Sequence, residues 1–199
     1  MCSFTATAFS YEIPTLAERR LMVQEYERTS VRKSEAPHSE MKAVHSSGRS
    51  DNVLEVVVEP NIFPEYEAGT VVVRTGARIL HFIESDGNMT TYPIAVGREG
   101  AQWLGVTHVT GKRKNPEWRP TPNMRKRDPK LPAVVKPGPS NPLGLRAIYL
   151  SEGYLRIHGT NQPSSIGKAA SSGCYRMLNE HVVDLYEKVS QGATVVVLK

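Results

Sequence analysis

The feature that most constrains this chain is a succession of short β-forming runs beginning at Val53: "VLEVVVE", "TVVVRT", "RILHFIE", "TTYPIAVG", "LGVTHVTG", "LRAIYL", "GYLRIHG" and "ATVVVLK". Each is rich in β-branched residues or aromatics and is bounded by Gly, Pro or Asn. Most recur about every ten residues, the spacing of an all-β sandwich or barrel. Asp86-Gly87-Asn88 has the chemistry of a hairpin turn, so residues 78–84 and 89–96 are expected to pair antiparallel. One helix interrupts the pattern. Val182, Leu185, Tyr186 and Val189 fall at i, i+3, i+4 and i+7, with Asn179 expected as the cap and Gly192 as the stop. The expected fold is mainly β, a sandwich or barrel with one helix late in the chain.

The segment 111–142 breaks the rhythm, with no periodicity, nine Lys or Arg against two acids, and eight prolines. A long loop inside a compact domain is usually functional, and prolines let it be irregular yet shaped, so a lid or binding rim is expected here. Before Val53 the texture is polar. Residues 9–52 read as an arm or linker with one modest helical stretch, "TLAERRLMVQEYERT". Residues 1–8 contain Ala6-Thr7-Ala8, the small-x-small pattern that signal peptidases cut after, and read either as the remnant of an export signal or as a plain tail. The 199 residues therefore divide into 1–8, 9–52 and a single domain over 53–199.

Charge narrows the partners. A net charge of +5 favours an acidic ligand, yet no helix-turn-helix, zinc-finger or aromatic RNA-binding signature accompanies it, so no nucleic-acid partner is expected. No apolar run approaches the roughly eighteen residues of a transmembrane helix. The six histidines and two cysteines form neither C-x-x-C nor H-x-x-x-H, so neither a metal site nor a cofactor is expected.

The chemistry concentrates in "IHGTNQPSSIGKAASSGCYRM". If residues 1–8 are removed, Cys2 goes with them and Cys174 has no intramolecular partner, so in an oxidising compartment it is a liability unless it has work to do. An isolated cysteine is ordinarily a small buried hydrophobe. Here the surroundings differ. A free thiol, with a pKa of about 8.5, is only a few per cent ionised at neutral pH and needs a basic neighbour to act as a nucleophile. His158 ends the run "YLRIH" sixteen residues upstream, and a second segment returning beside that strand would bring imidazole and thiol together. The N–H groups of Gly173 and Cys174 would then point at a developing oxyanion. Arg176 suits a substrate carboxylate or a structural ion pair. Ser171 and Ser172 suit hydrogen bonding or close packing, and Trp118 and Asn141 suit the rim of the site or the packing of the loop.

Taken together, "YPIAVG", "WRPTP", "GPSNPLG", "IHGT", "SSGCYRM" and "DLYEKVSQGATVVV", in this order, resemble the L,D-transpeptidases of the YkuD/ErfK type over residues 71–199. The resemblance implies a β-rich catalytic domain of a periplasmic or cell-envelope enzyme that is exported. It acts on peptidoglycan stem peptides in cell-wall biogenesis and is a carbapenem target. In the implied reaction, the cysteine attacks the L,D bond before the terminal D-alanine of a tetrapeptide, D-alanine leaves, and a diaminopimelate side-chain amine resolves the thioester. Cys174 then matches the nucleophile, His158 the general base, Gly159 the backbone carbonyl that orients it, and Gly173 the oxyanion turn. Ser171 opens the motif, and Arg176 matches the basic position after the cysteine. The chain departs from the family at Ser172, where many members have a second histidine, and at Tyr175, which replaces a small aliphatic residue and would reshape the pocket wall.

Two other functions keep the same fold. The acceptor would be water, giving a carboxypeptidase or endopeptidase, or the amine of an outer-membrane protein, giving an anchoring enzyme. A non-enzymatic wall-binding module would use the basic loop alone.

Overall fold

The computed structural model describes residues 54–199; the expectations for residues 1–8 and 9–52, together with Val53, lie outside them. The β-forming runs become strands: Val57–Pro60 (β1), Val71–Arg74 (β2), Ile79–Ile83 (β3), Asn88–Pro93 (β4), Val96–Gly97 (β5), Gly105–Lys114 (β6), Arg146–Leu150 (β7), Arg156–His158 (β8) and Thr194–Leu198 (β11). Two further short strands, Ala169–Ser171 (β9) and Tyr175–Arg176 (β10), flank the cysteine, where no β pattern is visible in the sequence.

Nine strands join in the order β1-β4-β3-β2-β11-β6-β7-β8-β10, while β5 and β9 form a separate parallel pair. The hairpin expected at Asp86-Gly87-Asn88 is present, with Ile79 opposite Pro93 and Ile83 opposite Met89. Its turn is held by Asp86, whose carboxylate accepts from the Asn88 backbone and side-chain N–H groups. β6 is the corner of the sheet. Its first residues, 105–108, pair with β11, and after a register shift between Val109 and Gly111 the strand continues against β7. A bulge of this kind bends and twists a strand, so one ten-residue element serves both halves of the sheet.

The main core lies between these halves. Val71, Val73, Leu80 and Phe82 from one half meet Ile148, Leu150, Ile157 and Tyr175 from the other. Against them packs the expected helix, Asn179–Lys188, with Val182, Leu185 and Tyr186 inward.

Three local expectations are corrected. The helix is capped by Leu178, and Asn179 is its first residue. It ends at Lys188, with the Val189 N–H closing on the Leu185 carbonyl, so Gly192 lies beyond the stop and serves the turn into β11. The segment 111–142 is also less irregular than its sequence implies. It begins as the end of β6 and contains a short helix, Pro122–Arg127 (α1), capped by the Thr121 hydroxyl on the Met124 N–H. With α1 counted, Asn179–Lys188 is α2.

Candidate active site

The site is built on the pairing of β8 with β10. The two strands run parallel, with Ile157 opposite Tyr175 and His158 opposite Arg176. Because successive side chains alternate between faces, one face presents Ile157 and Tyr175 to the core, both essentially without exposure. The other face presents Arg156, His158 and Arg176, and Cys174 lies one step before β10 on that same side. All four line a cavity of about 1110 Å³. Tyr175 is therefore not part of the pocket wall. Alternation turns it inward, and its hydroxyl donates to the Trp103 carbonyl at 3.4 Å.

His158 is 5% exposed. Its Nδ1 lies 2.6 Å from the Gly159 carbonyl. A carbonyl only accepts, so Nδ1 carries the proton and Nε2 keeps its lone pair. Burial lowers the imidazole pKa to about 3, aided by the charges of Arg176 and Arg156 and opposed by the Gly159 bond. The ring is thus held neutral with its basic nitrogen available.

The segment carrying that carbonyl is fixed by Asn179. Its Oδ1 accepts from the Leu145 N–H (3.1 Å) and the Thr160 N–H (3.3 Å), and its Nδ2 donates to the Thr160 carbonyl (3.0 Å). Asn179 Oδ1 occupies the space that a Cβ would need at both Gly144 and Gly159, so these glycines permit the backbones to close around the amide. Gly144 additionally has φ +62°, in the left-handed region.

The cysteine turn is fastened by Ser171. Its hydroxyl donates to the Cys174 carbonyl (2.6 Å) and accepts from the Gly173 N–H (3.1 Å), and the residue is buried. Gly173, at φ +133°, passes close to Ala101 and Gly97. Ser171 thus clamps the turn while also lining the cavity, and the Gly173 N–H is committed to its hydroxyl. Of the two N–H groups expected to face an oxyanion, only that of Cys174 has no protein acceptor among the described residues.

The Cys174 thiol donates to the Tyr154 carbonyl at 3.3 Å, so the direct thiol–imidazole hydrogen bond that the sequence suggests is replaced in this conformation. Burial raises the thiol pKa, while the charge and backbone N–H of Arg156 and the charge of Arg176 favour the thiolate. Sulfur and imidazole still face the same cavity from neighbouring strands.

The long loop supplies one wall. Trp118 lines the cavity and exchanges two 2.9 Å backbone hydrogen bonds with Val135. Asn141, by contrast, is fully buried away from the cavity, where Nδ2 reaches the carbonyls of Pro116, Val135 and Lys136 and Oδ1 accepts from the Leu143 N–H. It shapes the loop rather than touching substrate. At the end of α1, Arg127 donates to the Ser172 hydroxyl at 3.3 Å, joining the loop to the cysteine turn. Sequence reasoning missed Arg156, although alternation places it two residues before His158 on the same face. It also missed Asn179, whose position at a helix start reads as a cap.

Known proteins resemble this chain in sequence and in fold. The YkuD family, described as the L,D-transpeptidase catalytic domain, matches residues 68–197. The chain is 32% identical to the "Probable L,D-transpeptidase ErfK/SrfK" of Escherichia coli K12, in an alignment covering 100% of this chain and 73% of that protein. It is 35% identical to the "Probable L,D-transpeptidase YcfS" of the same organism over 74% of this chain, and spans about half (49%) of that relative's length. Among solved structures, the Ldtfm–avibactam carbamoyl enzyme superposes with a TM-score of 0.54 at 16% identity, covering 68% of this chain and 51% of that one. A mutant of the Enterococcus faecium L,D-transpeptidase superposes with a TM-score of 0.53 over the same shares, again at 16% identity. These two likenesses concern the fold.

Two expectations follow from the geometry. Asn179→Ala removes three hydrogen bonds and leaves the N–H and carbonyl of buried Thr160 without the amide beside His158, and it should cost about 1–3 kcal/mol in urea unfolding. Histidine burial sets the response to acid: His158 is held near 3, and His81 is held at about 4 chiefly by burial. Both folded values lie below the ordinary imidazole value of about 6.5, so their contribution is complete above that pH. It declines as pH falls toward 4 and 3, by up to about 1.4 kcal/mol per pH unit for each ring. Urea titrations at pH 7 and pH 5 should show this loss, and His81→Gln should shrink it.

Proposed function

This chain belongs to the L,D-transpeptidase family, and from that premise we propose that it is a peptidoglycan cross-linking enzyme exported to the cell envelope. It uses Cys174 as nucleophile and His158 as general base. The observation that carries this reading is the parallel register of β8 and β10, which turns the sulfur and the imidazole into one cavity.

In the proposed reaction a tetrapeptide stem enters along the cavity and the thiol gives up its hydrogen bond to Tyr154. Nε2 of His158 takes the thiol proton as Sγ bonds to the carbonyl carbon before the terminal D-alanine. Burial disfavours both the imidazolium and the thiolate, so proton transfer and attack proceed together, the negative charge passing directly onto the carbonyl oxygen. The free N–H of Cys174 receives that oxyanion. Collapse breaks the C–N bond, the imidazolium returns the proton to the departing D-alanine amine, and a thioester remains. The side-chain amine of a diaminopimelate on a second stem attacks the thioester, His158 removes its proton, and the thiolate leaves to be reprotonated.

Gly159 orients the base through its carbonyl, while Gly173 and Ser171 shape the turn. Arg176 meets a donor carboxylate in a bidentate fork, and Trp118 forms a wall for the peptide. Ser172, held by Arg127, adjoins the donor.

Incubation with purified disaccharide-tetrapeptide should yield cross-linked dimers and free D-alanine, and Cys174→Ala should abolish both. Dimers that survive the substitution reject the assignment, and product masses identify an acceptor other than diaminopimelate. The protonation scheme has its own test. Iodoacetamide alkylation of Cys174 should follow a single titration with its midpoint above the 8.5 of a free thiol; a midpoint well below neutrality would mean a resting thiolate.

A further inference from the structure

The cavity that holds Cys174 is lined by six cationic side chains, Arg98, Arg119, Lys126, Arg127, Arg156 and Arg176, against the two carboxylates of Glu99 and Glu152. Arg119 is paired with Glu117 at 3.1 Å. Among the described residues the other five cations have no ion pair. They come from four separate parts of the chain: the turn after β5, α1, β8 and β10. Neither reacting group offsets this charge, because the imidazole is neutral and the thiol is protonated at rest.

Such a concentration is unfavourable in the empty protein. Burial lowers the Arg176 pKa, and repulsion from Arg98 adds to it, while the charge that Cys174 can carry opposes it. Arg98 cannot withdraw by moving its backbone, since its N–H donates to the Ser171 carbonyl at 3.0 Å, beside the cysteine turn. Arg156 is positioned by the rings of Tyr149 and Tyr154, at 5.5 and 5.9 Å. Among the described residues the cations around this cavity outnumber its carboxylates, an excess that an anionic ligand relieves, and guanidinium forks match carboxylates in particular.

We infer that this cavity selects donor stems whose carboxylates are free, and that a stem carrying the same carboxylates as amides is a poor donor. The inference rests on the transpeptidase reading and adds the chemical class of stem that the site accepts. Each amidation replaces an anion facing these cations with a neutral group and leaves the guanidiniums without a partner. Arg98 is the specificity-determining residue that the comparison isolates, because it adjoins the turn while lying outside both β8 and β10.

The test is the rate of acyl-enzyme formation at Cys174, followed by intact mass, with a free-carboxylate tetrapeptide and with its amidated counterpart, each at low and high NaCl. The free stem should react with a kcat/KM at least about tenfold higher, equivalent to 1.4 kcal/mol. High salt should narrow that ratio. Arg98→Gln should bring it toward one, whereas Arg98→Lys should keep part of it. Equal rates for the two stems, or a faster amidated stem, overturn the inference and leave the transpeptidase reading standing. An Arg98→Gln loss that is equal for both stems also overturns the role of Arg98. No acyl-enzyme from either stem, with the thiol still alkylated by iodoacetamide, removes the transpeptidase reading and the inference with it.

Discussion

The parallel pairing of β8 with β10 is the constraint on which the site depends. Parallel neighbours cannot be joined by a tight hairpin; the chain must leave the end of one strand and return to the beginning of the next. Here the return path is the stretch between His158 and Cys174, and it contains a 3₁₀ turn at Pro163–Ser165 and the strand β9 paired to β5. Its small residues answer that demand. Gly173 passes Gly97 and Ala101 at near backbone contact, and Ser171 replaces the missing hydrogen bonds of a tight turn. The same crossing sets imidazole and sulfur on one face and sends Ile157 and Tyr175 into the core, so the geometry of the candidate site and the core packing are fixed by a single register.

Further hydrogen bonds hold this register in place. Asn179 ties the start of α2 to the backbone at Leu145 and Thr160, and the Met177 N–H donates to the His158 carbonyl at 2.8 Å. The helix therefore does more than fill the core. Packed through Val182 and Leu185, it carries an amide that fastens the loop before β7 to the segment after β8. Burial of this apparatus also determines the protonation states, since desolvation is the largest influence on both His158 and Cys174.

Much of this was legible in the sequence. Valine- and isoleucine-rich runs between turn residues specify strands locally, and most of the sheet follows from them. That His158 and Cys174 share one cavity was legible because their residue types are chemically unusual in that setting. What escaped was tertiary in origin. Asn179 reads as a cap but is the first residue of the helix, and its amide goes to distant backbone groups at 145 and 160. Asn141 and Ser171 are polar residues beside the site whose partners are backbone atoms of their own loops. β9 and β10 are too short for any periodicity and exist because neighbouring strands await them. Tyr175 was readable in principle, since a residue adjacent to one that faces the cavity faces away from it.

The bond from the Cys174 thiol to the Tyr154 carbonyl has a bearing on durability. Oxidants, like electrophiles, attack the thiolate far faster than the thiol, and the steps beyond sulfenic acid are largely irreversible. In the proposed reaction, a Cys174 thiol that stays protonated until a peptide dislodges it would spend its idle time in the form least open to such damage. That hydrogen bond would thus shield the sulfur between turnovers of the proposed reaction.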